Sequence, residues 1–380
     1  MKTLFKTICL VVLCGCCAHG TVRAEHTAPP DSRPVVQLAI LLDTSSSMSG
    51  LIDQARSQLW KIVNELVHSR LRGQQPEIQV ALYEYGKSTL ERSEGYIRQI
   101  TALTEDLDLV SEKLFELGTN GGDEYCGQVI QSACDGLRWS KASGALKLIF
   151  IAGNEPFTQG SVDYREACKL AASRGITVNT IHCGDERSGV EGHWKDGALL
   201  ADGEFLNIDH NRVVAHIAAP QDADIERLGR ELNDTYIPFG ARGKSDFARQ
   251  AAQDANAYKS AKGSMTQRGV FKSSASYSNE AWDLVDATAK GKVDLAEIDK
   301  DDLPENMRKM DRAEQAAFVE KNRARRGEIQ AQIRVLDAER RKFVAEQQKK
   351  KADETGEDTL DRAMIDSIHV QAESMGYSFE

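Results

Sequence analysis

Between residues 35 and 232 the chain alternates short apolar runs with longer stretches whose apolar residues recur at helical spacing. Val35 to Leu42 is apolar at nearly every position, as a strand buried on both faces must be. Leu51 to His68 follows, with Ile52, Ala55, Leu59, Ile62, Val63 and Leu66 on one helical face. Ile78 to Tyr85, Leu146 to Ala152, Ile176 to Ile181 and Phe205 to Ile208 read as further strands. Tyr96 to Ile100 reads as a short antiparallel edge strand. Leu107 to Leu117, Gly127 to Leu137, Val162 to Ser173 and Asp222 to Leu232 are the intervening helices. Strands separated by helices imply an α/β fold, a doubly wound, Rossmann-like and mostly parallel sheet. That domain is expected to span residues 33–240.

Beyond Pro238 the strand signal stops. Residues 241–302 are rich in Ala, Ser, Lys and Asp and read as a helical or irregular connector. Residues 303–380 read as an all-helical extension. Ile329, Ile333, Leu336 and Phe343 form a coiled-coil-like stripe. Packing back on its own domain and self-association are both compatible with so short a stripe. Arg323, Arg325 and Arg326 read as a solvated helix face.

The first 24 residues have the form of a signal peptide. Lys2 and Lys6 precede the apolar Ile8 to Ala18, and Val22-Arg23-Ala24 fits a cleavage site before Glu25. The run is too short to span a bilayer, and no later stretch is long enough. Export to the periplasm or beyond is therefore expected. Leu13-Cys14-Gly15-Cys16 offers an alternative, a lipoprotein anchored through Cys16. Four of the eight cysteines fall in this leader; Cys126, Cys134, Cys168 and Cys183 remain. An oxidising compartment permits disulfides, and Cys126 with Cys183, both at strand-end loops, is the favoured pair. Cys134 and Cys168 lie on predicted helices, as small buried hydrophobes do. A net charge of −10 argues against a nucleic-acid binder, which would need a basic face.

The first strand ends in Asp43-Thr44-Ser45-Ser46-Ser47. In open α/β sheets ligands bind beyond the carboxyl ends of the strands. One carboxylate and two hydroxyls at Asp43, Ser45 and Ser47 suit a hard cation such as Mg²⁺ or Mn²⁺. The same residues also suit a turn and a helix cap. The Asp-x-Ser-x-Ser spacing resembles the metal-ion-dependent adhesion site (MIDAS) of von Willebrand factor A (VWA) domains. The resemblance implies a divalent cation with an open position for a partner's acidic side chain. It also implies a ligand from a second loop. Here that loop is Gly118-Thr119-Asn120-Gly121-Gly122-Asp123-Glu124, similar to the family's Gly-Gly-Asp variant. Asp123 is the expected ligand and Thr119 the alternative. The third loop normally supplies an Asp, but Gly153 stands there. Asn154 and Glu155 follow, and Glu155 is within reach of a metal-bound water. The segments Asn154 to Gly160, Tyr83-Glu84-Tyr85, Ile181 to Gly184 and Trp282-Asp283-Leu284-Val285-Asp286 are similar to a group of exported bacterial VWA proteins. That likeness brings no activity with it.

No nucleophile elbow or phosphate-binding loop occurs, and no catalytic residues are assigned. His182, Cys183 and His193 match no standard zinc spacing. The expected function is cation-dependent protein binding. The alternative is an assembly role carried by the C-terminal helices, with a degenerate metal site.

Overall fold

The computed structural model describes residues 33–208, 216–260, 262–355 and 360–379. The leader at 1–24 and the Cys16 alternative lie outside the described residues. In chain order the elements are β1 (Val35–Asp43), α1 (Ser49–Val67), β2 (Ser69–Leu71), β3 (Glu77–Tyr85), β4 (Ile97–Thr104), α2 (Leu107–Glu116) and α3 (Cys126–Gly136). Next come β5 (Leu146–Gly153), α4 (Tyr164–Ser173), β6 (Thr177–Cys183), α5 (Glu186–Glu191), α6 (Trp194–Leu200), β7 (Phe205–Ile208) and α7 (Asp222–Asn233). The rest is helical except for its last strand: α8 (Gly240–Lys259), α9 (Ser264–Lys272), α10 (Leu284–Ala289), α11 (Glu305–Arg308), α12 (Arg312–Thr355), α13 (Leu360–Ser374) and β8 (Tyr377–Phe379).

Six strands form one sheet in the order β4-β3-β1-β5-β6-β7, parallel except for β4 at the edge. Asp43 pairs with Tyr85, Leu42 with Ala152, and Gly153 with His182. The carboxyl ends of β1, β3, β5 and β6 therefore meet along one edge of the sheet. Successive side chains point to opposite faces. Leu38, Leu42, Val80, Leu82, Leu148 and Phe150 share one core with α1 and α2. Ala39, Leu41, Tyr83, Ile149, Ile151 and Val178 share the other with α3, α4 and Trp194.

The helices beyond residue 240 belong to the first of these cores. Phe271 of α9, Ile329 and Ile333 of α12, and Ile368 and Ala372 of α13 are buried in it, with Leu336 packed alongside. Residues 33–380 cluster as one compact unit. The stripe on α12 thus meets its own sheet layer. Phe271 lies 5.4 Å from Trp60, and the Arg268 guanidinium stands 4.9 Å over the same indole. Arg268 is fully buried and pairs with Asp108 of α2 at 2.7 Å and with Asp254 of α8. Lys272 also reaches Asp254, at 2.9 Å. Buried charges persist when paired and hydrogen-bonded. Here two cations and two carboxylates cancel between three helices.

Two expectations need correction. Arg326 does not lie on a solvated face. It is buried and binds Asp283 and Asp286 at 2.6 Å each, while its Nη2 donates to the Thr235 carbonyl at 2.8 Å. Asp283 in turn caps α10 and accepts from the Ile237 backbone at 2.7 Å. The aspartates of the Trp282-to-Asp286 segment are therefore the anchor of α12. Nor are Cys126 and Cys183 bridged: both are free and buried. Cys126 belongs to the α3 side of the sheet and Cys183 to the α1 side. The sheet separates them because β6 alternates, turning Cys183 away from the face that Cys126 covers. Cys134 and Cys168 are buried as expected.

The last strand closes the unit. β8 pairs antiparallel with β2, and the Tyr377 hydroxyl donates to the carbonyls of Gly144 at 3.0 Å and Val35 at 3.3 Å. Among the described residues no helix is long and apolar enough to cross a membrane.

Candidate metal centre

β1 stops at Asp43 because the backbone turns there. Thr44 N–H donates to the Tyr85 carbonyl at 2.8 Å, and Ser45 N–H folds back onto Asp43 Oδ1 at 2.7 Å. This is the Asx turn that Asp favours. Ser45 Oγ lies 3.4 Å from Ser47 Oγ, and Met48, fully buried, fixes the start of α1. Asp43 itself is 0% exposed. Burial pushes its carboxyl up to about 7, with Ser45 opposing the rise through hydrogen bonds and the Glu155 charge adding to it. Asp43 Oδ2 is buried and has no hydrogen-bond partner among the described residues.

The second loop is drawn onto this turn by Asn120 N–H, which donates to the Thr44 carbonyl at 2.9 Å. At Gly122 a Cβ would stand 2.5 Å from the Gly86 carbonyl and 2.7 Å from the Ser88 nitrogen, so only glycine fits. The two acids that follow diverge. Asp123 is exposed, and its Oδ2 accepts from the Tyr125 hydroxyl at 3.4 Å. Glu124 is 6% exposed and turns inward. A Cβ on Gly86 would be 2.8 Å from both Asp43 Oδ1 and Glu124 Cγ, so the two acids pack on one glycine. Burial pushes the Glu124 carboxyl up to about 8, followed by the charges of Asp43 and Glu155. Thr119 is half-buried at the start of the loop. The sequence points to Asp123, and the structure turns its neighbour toward Asp43.

The third loop explains its missing aspartate. A Cβ at Gly153 would lie 2.5 Å from the Tyr85 hydroxyl and 3.1 Å from Asp43 Oδ2. The phenol, donating to the Ala152 carbonyl at 3.0 Å, fills the space an Asp side chain would need. Asn154 Oδ1 is buried without a partner among the described residues. Glu155 is half-buried, and its carboxylate accepts from Gln159 Nε2 at 3.3 Å. Gln159 Oε1 accepts from Glu124 N–H at 3.1 Å. One amide thus orients two acidic residues. His182 and Cys183, adjacent on β6, face opposite sides; His182 Nδ1 contacts Asn207 Oδ1 at 3.0 Å.

The donor set is all oxygen, and it includes a fully buried carboxylate with one oxygen unsatisfied. Among the described residues no three carboxylate, imidazole or thiol groups form a ready-made cage. Two carboxylates with hydroxyls and water remain, which is how Mg²⁺ is usually held. The residues present fit such an ion.

The family model for the von Willebrand factor type A domain matches residues 37–191. The chain carries a VWA domain. VWA domains are in general interaction modules rather than enzymes, and some bind a divalent metal at a MIDAS loop. The solved structures similar to this chain include the conserved hypothetical protein BatB from Bacteroides thetaiotaomicron, 17% identical, covering 46% of this chain and 90% of that one, TM-score 0.35. The SpRpn10 VWA domain is 17% identical over 48% of this chain and 100% of its own, TM-score 0.36. Proximal thread matrix protein 1 from the mussel byssus, solved with a zinc-occupied MIDAS motif, is 11% identical over 48% of this chain and 43% of its own, TM-score 0.35. No curated protein matches the chain.

Proposed function

We propose that this VWA domain binds a protein partner through a divalent cation, Mg²⁺ or Mn²⁺, held at Asp43, Ser45 and Ser47. The observation that carries the reading is the fully buried Asp43 with an unsatisfied oxygen at the carboxyl edge of the sheet. A buried carboxylate in that state costs free energy that a cation would offset. The partner would offer an acidic side chain to the open position of the ion, in a charge-assisted and salt-sensitive contact. The charged start and short apolar run at 1–24 support an exported, periplasmic or secreted protein, and Cys16 supports the lipoprotein alternative. A second reading, assembly through the C-terminal helices with a vestigial metal site, is favoured by one observation: Tyr85 fills the place of the third-loop carboxylate.

Calorimetric titration of the purified chain with Mg²⁺ and Mn²⁺ separates the two. Wild type should bind, and Asp43→Ala should not, while both melt at similar temperatures. Absence of binding by the wild type favours assembly. Capture of a partner from periplasmic extract, lost on adding a chelator, then tests the interaction itself.

A further inference from the structure

We propose that Glu124, one residue beyond the position that the family pattern designates, is the second carboxylate ligand of the cation. The inference rests on the cation-binding reading above. Four independent facts lead to it. Glu124 turns inward and packs with Asp43 on Gly86, whereas Asp123 is exposed beside the Tyr125 hydroxyl. The loop is held in this register. Gly122 is wedged against Gly86 and Ser88, Asn120 is tied to Thr44, and Ser88 N–H donates to the Gly121 carbonyl. Swinging Asp123 inward would break these contacts. Gln159 grips the Glu124 backbone with its oxygen and the Glu155 carboxylate with its nitrogen, an outer-shell arrangement that fixes liganding groups. Finally, Asp43 Oδ2, completely buried, and Asn154 Oδ1 both lack partners among the described residues, which marks the space between these loops as one built for a ligand.

Charge and size agree with the assignment. Two carboxylates neutralise a divalent ion and leave it able to attract one more acid from a partner. Glutamate carries one methylene more than aspartate, and its Cγ lies against Gly86 beside Asp43 Oδ1. The bland alternative is that Glu124 is a buried neutral acid that only fills space. An amide of the same shape would then serve equally well.

Mn²⁺ titration of the full chain, read from the electron paramagnetic resonance of the free ion, tests the assignment in four variants. Glu124→Gln should weaken Mn²⁺ binding by about tenfold or more, the loss typical of a disturbed metal shell. Its far-UV dichroism and melting temperature without metal should stay close to wild type. Asp123→Asn should change affinity by less than about threefold, as exposed charges contribute little. Glu124→Asp, which keeps the charge but withdraws it by one methylene, should also bind more weakly, and it serves if the amide fails to fold. Wild-type affinity in Glu124→Gln or Glu124→Asp overturns the assignment, as does a loss confined to Asp123→Asn. In those cases Asp43→Ala still abolishes binding and the cation reading stands. A wild type that binds no Mn²⁺ overturns both.

Discussion

Gly153 shows how a single position can redirect a site. The family pattern places a carboxylate there, and in this chain the Tyr85 phenol already occupies the space. Restoring the family residue should therefore harm the protein. Gly153→Asp would force a Cβ to 2.5 Å from the phenolic oxygen and bring a charge against Asp43. Overpacking of this kind costs about 1–3 kcal/mol. Thermal denaturation should show the loss, and the double variant with Tyr85→Phe, which removes only the clashing hydroxyl, should recover part of it. Unchanged stability in Gly153→Asp would mean that β3 and β5 yield more than this packing suggests. At this scale the sequence singled out Asp43, Ser45 and Ser47 by their spacing alone, and the structure places that turn at the carboxyl edge of the sheet. The sequence was not informative about Glu124. Two adjacent acids in a loop give no periodicity to say which one faces inward. The available clue was the pair Gly86 and Gly122, whose close approach sets the register but is visible only once β3 and the second loop are side by side.

Elements with a clear period emerged from the sequence with bounds that hold to within a few residues. β1, β3, β5 and the antiparallel β4 are examples, and so is α1. The pieces that escaped have little period to read. α5 and α6 are six and seven residues long. β2 and β8 are three residues each and find each other from opposite ends of the unit. Their pairing is supported by α13, where His369 bonds to Glu65 of α1 and stacks on Phe379 at 3.7 Å. The bond to Glu65 holds the His369 imidazolium above its ordinary 6.5, with Glu373 and Asp366 adding to the shift. Burial works against the Glu65 carboxylate, but His369, His68 and Arg341 together bring it below its ordinary 4.5. Asp337 completes the junction through His68, at 3.3 Å. The histidine contribution is complete below pH 6.5 and is lost as pH rises through the raised folded value. The glutamate contribution is complete above 4.5 and is lost as pH falls through its lowered value. Docking of α13 should thus be firmest between about pH 4.5 and 6.5. Hydrogen exchange of α13 amides across that range measures it. His369→Gln should flatten the alkaline arm; an unaltered profile in that variant would assign the pH dependence to other groups.

The molecule as a whole is more unified than its composition suggests. A change from strands to charged helices near residue 240 looks like a boundary, because charge is read as solvent exposure. Here Arg268, Lys272 and Arg326 are charged and buried, and their partners lie on other elements, Asp108 of Arg268 as far back as α2. Ile333→Ala, although it lies on α12, should lower the stability of the whole unit by about 2–5 kcal/mol, the cost of truncating a fully buried aliphatic chain. Chemical denaturation followed by tryptophan fluorescence should retain one transition, since Trp60 lies in the same core. Two separated transitions would mean that the tail melts independently. The clasp of Tyr377 onto Val35 also bears on how the protein is made. Chains grow at about 5–20 residues per second, and early segments begin to fold while later ones are still on the ribosome. The face of the sheet that α1 covers lacks α9, α12 and α13 until residues 264–374 have been made. For on the order of ten seconds the nascent polypeptide therefore carries an unfinished apolar layer. That interval is when a holding chaperone would find it, and the docking of α9, α12 and α13 is what ends it.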